Sequence, residues 1–404
     1  MRTCLVLLLV LLLSPSAFAD WKFVPDDYPT IQAGIDAADP HDTVIIASGT
    51  YSGDGNRNID FKGKPIVLLS ASGPESTIID CEGSEGNPQR AFWFHSGEDA
   101  HSAIDGFTIT GAYGKTWEYN AAILVDSSSS PRIYNCRIIG NDCSGIKSQL
   151  FSEPNVRWCE ISDNTENGVV IAEMVWPPSS ILLSRNLIRG NGGSGVYFYT
   201  VSQGEILHNT VVQNELDGFT FEEDPPKAGG EKSVDSLLMA YNIIAFNRHY
   251  GMWSHWSLWH TFRCNDVFGN SDGNVWYDTS SGTWVDNFSA DPQFCDTLNG
   301  DFQLAASSPC MPENSPCNAW IGRYEIGCDP FTCCEIRGDA NHDGELPLSI
   351  SDIVYMIQWM FLGGAPPVCI DEVDINGSGG VDITDLIHLI DYAFGGGDPP
   401  APCE

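Results

Sequence analysis

The hexads CRIIGN (136–141), CEISDN (159–164), NLIRGN (186–191), NTVVQN (209–214), NIIAFN (242–247) and NDVFGN (265–270) are six variants of one pattern: Cys or Asn, any residue, Ile or Val, two residues, Asn. Three residues before each stands an apolar side chain: Ile133, Val156, Leu183, Ile206, Met239 and Phe262. In the first five copies a glycine follows the closing asparagine by four, with an apolar residue directly after it: Ile146, Val169, Val196, Phe219 and Met252. The closing asparagines lie 23, 27, 23, 33 and 23 residues apart. A period of this length, with insertions of variable size, means one structural unit per repeat and insertions that emerge as loops.

The apolar positions are short, often β-branched and two residues apart, which suits strands rather than helices. Asn and Gly at the breaks suit tight turns, where both tolerate left-handed backbone. Stacking the units predicts a ladder of the six closing asparagines, with about 4.8 Å between rungs. The pattern resembles the right-handed parallel β-helix superfamily, which includes pectate lyases, other polysaccharide-active enzymes, epimerases and adhesins. The resemblance implies an all-β solenoid; it does not choose a chemistry, because one fold hosts many functions.

Working outward, residues 1–19 read as a secretory signal: Arg2, an apolar run over 5–13, then Ala17-Phe18-Ala19 as a cleavage site. The mature protein is expected to be secreted, extracellular or at a cell surface. Nothing later is long and apolar enough to span a membrane. The formal charge of −35 argues against nucleic-acid and anionic-lipid partners. Of 14 cysteines one leaves with the signal, and an odd number remains. The β-helix is expected over 20–290. It opens with an amphipathic helix from Pro29 through Ala38 that shields the first rung. The stretch 29–51 resembles the opening of many secreted β-helix proteins, pectin methylesterases among them. Strands are expected at 66–69, 77–79, 91–94, 104–109 and 121–125. Residues 291–331 read as a Cys-rich cap, in which Cys295, Cys310, Cys317 and Cys328 allow three pairings; Cys310 with Cys317 would close a short loop.

Residues 336–404 carry a duplication at an offset of 33, Ile350-Ser351-Asp352-Ile353 against Ile383-Thr384-Asp385-Leu386. An oxygen-rich loop precedes each predicted helix. Asp374, Asn376, Ser378, Asp382 and Asp385 fall at loop positions 1, 3, 5, 9 and 12, with Gly379 at position 6, which is the EF-hand spacing. The first loop offers Asp339, Asn341, Asp343 and, two residues late, Asp352. Alternating oxygen donors are what a hard cation requires. This pair of loop–helix repeats resembles a dockerin, a family that binds two calcium ions and docks onto a cohesin domain. The resemblance implies calcium as cofactor, those nine residues as ligands, and a cohesin-like partner. The fold class expected for the chain is therefore a right-handed parallel β-helix followed by a small α-helical calcium-loop module.

Enzyme signatures are missing. The paired Asp motifs of polygalacturonases, the Arg/Pro-centred motif of pectate lyases and the common hydrolase and phosphate-loop motifs do not occur. Alternation supplies a site instead. If the residue after each recurrent glycine points inward, the next points out. One outward column is then Lys147, Val170, Tyr197, Thr220 and Trp253, and a second is Gln149, Ala172, Tyr199, Glu222 and His255. Tyr197, Tyr199 and Trp253 are candidate binders of a polysaccharide or surface glycan, because sugar ring faces pack on aromatics. Glu222, His255 and Lys147 are candidate catalytic groups. Hydrolysis needs two carboxylates, and Glu173, Glu223 or Asp235 could join Glu222; elimination needs a base, for which Lys147 or His255 would serve. The insertion at 222–236 is expected to wall this face. The two functions open at this point are a carbohydrate lyase or hydrolase carried by its dockerin, and a non-catalytic glycan-binding surface protein.

Overall fold

The computed structural model describes residues 20–116, 120–172, 180–199, 203–222, 237–254, 260–277, 282–328, 336–341, 348–362, 367, 369–377 and 381–402. Its two compact units are Met1–Pro292 with Ser315–Arg323, and Gln293–Asn314 with Tyr324–Glu404. The segment expected as one cap at 291–331 is thus divided between them. Among the described residues no helix is long and apolar enough to cross a membrane.

In the first unit each turn of chain gives one strand to each of three parallel sheets, of 11, 9 and 8 strands. The register follows the sequence repeat. Ile133 lies beside Val156, Val156 beside Leu183 and Ile206 beside Met239 in the first sheet; Ile138 pairs with Ile161, and Ile161 with Ile188, in the second; Val169 pairs with Val196, and Val196 with Phe219, in the third. These inward side chains are fully buried and form one continuous core. The expected strand at 104–109 is two strands, Ala103–Asp105 and Thr108–Thr110, because Gly106 between them takes a left-handed φ of 85° and turns the chain from one sheet to the next. Helix α1, Ile31–Ala37, covers the first rung with Ile31 and Ile35 inward, its N-terminus capped by the Thr30 hydroxyl.

The closing asparagines form the expected ladder. Each side-chain amide donates to the next Oδ1: Asn141 to Asn164 at 2.9 Å, Asn164 to Asn191 at 3.0 Å, Asn191 to Asn214 at 3.0 Å, Asn214 to Asn247 and Asn247 to Asn270 at 2.9 Å. A second ladder, not expected, runs through the opening asparagines Asn186, Asn209, Asn242 and Asn265 and on to Asn287. Cys136 and Cys159 continue that column as stacked, buried thiols in adjacent rungs. The left-handed residues are not the ladder asparagines but those just before them, such as Arg185, His208, Gln213, Tyr241 and Phe246. Asparagine is placed there for its amide, which satisfies buried backbone carbonyls, and not for its φ. The recurrent glycine makes room for that amide: a Cβ on Gly195 would sit 2.8 Å from the Gly218 carbonyl and 2.9 Å from Asn214 Nδ2.

The disulfides differ from the short loop suggested by sequence. Cys317 pairs with Cys264 of the repeat array, and Cys295 with Cys328. The first bridge ties 315–323 to the solenoid, where Gly322 N donates to the Tyr241 carbonyl at 2.7 Å and Arg323 Nη1 to the Cys159 carbonyl at 2.7 Å. In the second unit, a three-stranded sheet (Phe294–Asp296, Asp301–Ala305, Ile326–Cys328) is accompanied by helices α2 (Ile350–Leu362), α3 (Ile370–Val373) and α4 (Ile383–Ile390). Leu348, Ile353, Met356, Val373, Ile375, Leu386 and Leu389 make the core of the helices.

Candidate functional site

The outer face of the eight-stranded sheet carries the candidate residues. Strand pairing aligns Trp93, Leu124, Lys147, Val170, Tyr197, Thr220, Trp253 and Trp276 in one outward column. Gln149 and Ala172 are register partners in the next outward column. Tyr199 and Glu222 continue it, each donating its backbone N–H back to the preceding rung, to Ile171 at 2.9 Å and to Phe198 at 2.8 Å. Between these columns the inward Phe198 and Phe221 stack at 4.9 Å and 4°. That pair fixes the pleat, and with it the outward direction of Tyr197, Tyr199 and Glu222.

The column is not uniform. At its middle, Tyr197 is half-buried, Tyr199 is 42% exposed and Glu222 is exposed. Trp253 is half-buried because Trp276, one rung on, lies against it with ring centroids 5.4 Å apart and planes 8° from parallel. Trp276 is 37% exposed. Thr220 is buried in a small polar node, its hydroxyl bonded to Ser194 Oγ at 2.7 Å and to Asp217 Oδ2 at 2.8 Å. Asp217 also accepts the Tyr250 N–H at 3.0 Å; burial raises its carboxyl above the usual range, against those hydrogen bonds.

Toward the N-terminal rungs the face is closed. Lys147 points outward in register but is 1% exposed, so it does not line the open strip as the alternation argument expected. Its Nζ donates to Asn120 Oδ1 at 3.2 Å. Burial pushes its ammonium down to about 8, against the pull of Asp126, while Arg90 pushes the same way as burial. Gln149, also buried, donates to Asp126 Oδ2 at 3.1 Å. Arg90 is buried and lies over the Trp93 ring, 5.1 Å from its centroid. The outward column is covered here because its side chains are long and polar and pack on each other, which alternation alone does not reveal.

His255, most of the 222–236 insertion, and the carboxylates Glu173, Glu223 and Asp235 lie outside the described residues. So do Asp343 and Ser378 of the two oxygen-rich loops and residues 1–19. Sequence reasoning missed Trp276: its coil has Asn274 where the others have glycine, which hid the repeat, although Trp276 follows Trp253 by the recurrent 23. Arg90 was missed because it precedes the regular array.

In the second unit, Asp374 and Asp385 are buried, and the Asp385 carboxylate bends back over its own loop, accepting from Asn376 N at 3.1 Å and Asp382 N at 2.9 Å. Asp382 is the exposed N-cap of α4, and its carboxyl is held low by the Thr384 hydroxyl and N–H. In the first loop Asp339 and Asp352 are both buried, and among the described residues Asp352 Oδ1 has no hydrogen-bond partner. Arg337 lies 3.7 Å from Asp374 Oδ2. Among those residues no three His, Cys, Asp or Glu side chains converge as a metal cluster.

A family model described as right handed beta helix region matches residues 53–174 and 173–290, more than half of the chain. Among solved structures, the chain is similar to a pectate lyase, Pel9A, at 13% identity over 76% of this chain and 96% of that one, with a TM-score of 0.51. It is similar to the A-module of the Azotobacter vinelandii mannuronan C-5 epimerase AlgE6 at 15% identity over 64% of this chain and 70% of that one, TM-score 0.47. An alginate lyase from Paenibacillus sp. str. FPU-7 gives 13% identity over 77% of this chain and 99% of that one, TM-score 0.41. No curated protein sequence matches the chain. At these identities the likeness speaks for the fold alone.

Proposed function

The chain belongs to the right-handed parallel β-helix family, and on that premise we propose that it binds a polysaccharide along the outer face of the eight-stranded sheet. The observation that carries this reading is the run of outward aromatics Tyr197, Tyr199, Trp253 and Trp276 on consecutive or nearly consecutive rungs, with the exposed carboxylate Glu222 beside them. Rings on a rigid sheet present apolar surface at fixed spacing, and a neighbouring carboxylate accepts sugar hydroxyls; both suit a glycan chain. The pectate lyase in the comparison is by its name polysaccharide-active, which agrees with the reading without carrying it. The test is binding of a glycan panel by wild type and Trp276→Ala; the reading requires at least one glycan whose affinity falls in the variant.

For elimination, Lys147 is buried against Asn120 and does not line the open strip, which leaves His255 as the base such a reaction would use. A hydrolytic reading rests on Glu222 with a second carboxylate, and Glu222→Gln separates it: turnover would vanish while binding persists. We propose export through residues 1–19, and calcium at both loops of the second unit. Asp374, Asn376, Ser378, Asp382 and Asp385 would hold one ion and Asp339, Asn341, Asp343 and Asp352 the other. The donor set fits. The carboxylates of Asp339, Asp352, Asp374 and Asp385 are buried, and among the described residues Asp352 Oδ1 has no hydrogen-bond partner, so the donor set suits a cation, and calcium would fix each loop onto its helix. A cohesin-like partner would meet the exposed residues that recur at the 33-residue offset, Ile350, Val354 and Phe361 with Ile383, Ile387 and Phe394. Val354→Lys with Ile387→Lys should abolish a pull-down by such a domain.

A further inference from the structure

We infer that the aromatic strip takes an uncharged glycan and excludes polyuronates; this rests on the glycan-binding reading above and names its substrate class. The argument is the charge around the strip. Glu222 is exposed and makes no ion pair with a described residue. Asp217, just before the strand Phe219–Phe221, is held by the Thr220 hydroxyl and the Tyr250 N–H, neither of them charged. Among the described residues just before the Trp253 strand, Arg248 pairs with Glu215, and His249 Nδ1 lies 2.7 Å from Asp272. Lys147 and Arg90, on earlier rungs of the same face, are 1% and 2% exposed and stay out of reach of a chain lying on Tyr199 and Trp276.

The segments that adjoin the strip in sequence add no excess of positive charge. The stretch 223–236 holds Glu223, Asp224, Glu231 and Asp235 against Lys227 and Lys232, and 173–179 holds Glu173 alone. A polyuronate brings a carboxylate on every sugar. Laid along this strip it would set those charges against Glu222, while the described strands that carry the strip, Val196–Phe198, Phe219–Phe221, Tyr250–Ser254 and Gly273–Tyr277, hold no Lys or Arg to answer them. The formal charge of −35 opposes its approach as well. An uncharged chain meets neither cost. Its hydroxyls donate to Glu222, and its ring faces meet the aromatics.

The experiment is isothermal titration of the full chain, and of its Trp276→Ala variant, with xylan, mannan, galactan and β-glucan oligosaccharides and with polygalacturonate and alginate oligosaccharides. Each is measured at low and at physiological ionic strength, in EDTA and in calcium. The expected result is that an uncharged oligosaccharide binds with affinity insensitive to salt and loses about tenfold or more in the variant, while the polyuronates do not bind. Polyuronate binding that weakens with salt and is lost in Trp276→Ala would overturn the inference while leaving the strip as the binding site. Loss of no glycan of either class in the variant would instead overturn the strip itself.

Discussion

Trp276 lies flat against Trp253 from the next rung, 5.4 Å between ring centroids and 8° between planes. The pair shares one face internally, so Trp253 works as a backing for Trp276 and the more exposed ring is the outer one. Removing Trp276 should therefore weaken glycan affinity by roughly 1–3 kcal/mol. Trp253→Ala should cost a comparable amount by letting Trp276 tilt. The double variant should cost less than the sum, because the two act as one unit. Calorimetric titration of the three variants checks this; strict additivity would contradict the stacked arrangement.

The asparagine ladder makes a stability prediction. Asn191 donates to Asn214 Oδ1 and the Ile161 carbonyl, and its Oδ1 accepts from Asn164 Nδ2 and the Asn164 N–H. Asn191→Ala leaves these groups buried without partners. At about 1–3 kcal/mol for each orphaned group, the variant should lose roughly 3 kcal/mol or more. Urea unfolding measures it, and a loss no greater than that of an exposed control such as Gln213→Ala would contradict the account.

Lys147 makes a pH prediction. In the unfolded chain it titrates near its ordinary value of 10.5, and in the folded chain near about 8. Between those values the unfolded chain binds more protons, so this residue makes stability rise with pH across the window and fall as pH drops through about 8. Lys147→Met should remove that rise. Denaturant midpoints of wild type and variant from about pH 7 to about pH 10 provide the test; parallel profiles would show that Lys147 is not charged at a cost in the fold.

Calcium makes the fourth. Adding calcium to the full chain after chelation should raise the midpoint of one unfolding transition, by mass action on the folded state. Asp374→Ala together with Asp385→Ala should remove the share owed to the second loop and leave the β-helix transition in place. Identical calcium responses in wild type and the double variant would contradict the ligand assignment.

The solenoid and its register were legible because the inward residues recur with the repeat and a one-residue slip would turn the apolar column into water. Tyr197, Tyr199 and Glu222 were placed by the same alternation. Lys147 was not, because alternation gives direction and not depth, and the neighbouring Gln149, Asp126 and Asn120 close over it. The second ladder was hidden by Cys136 and Cys159, which share its column but not its chemistry. The Cys264–Cys317 bridge was hidden because Cys264 sits inside the repeat, 53 residues from its partner. Trp276 was hidden by Asn274 in the glycine position of its coil.

The most direct test of the central claim is a crystal structure of the chain soaked with the tightest-binding oligosaccharide from the panel. The account predicts sugar density lying along the eight-stranded sheet, in contact with Tyr199 and Trp276 and with a hydroxyl on Glu222. Density on another face, with that strip bare, would contradict it.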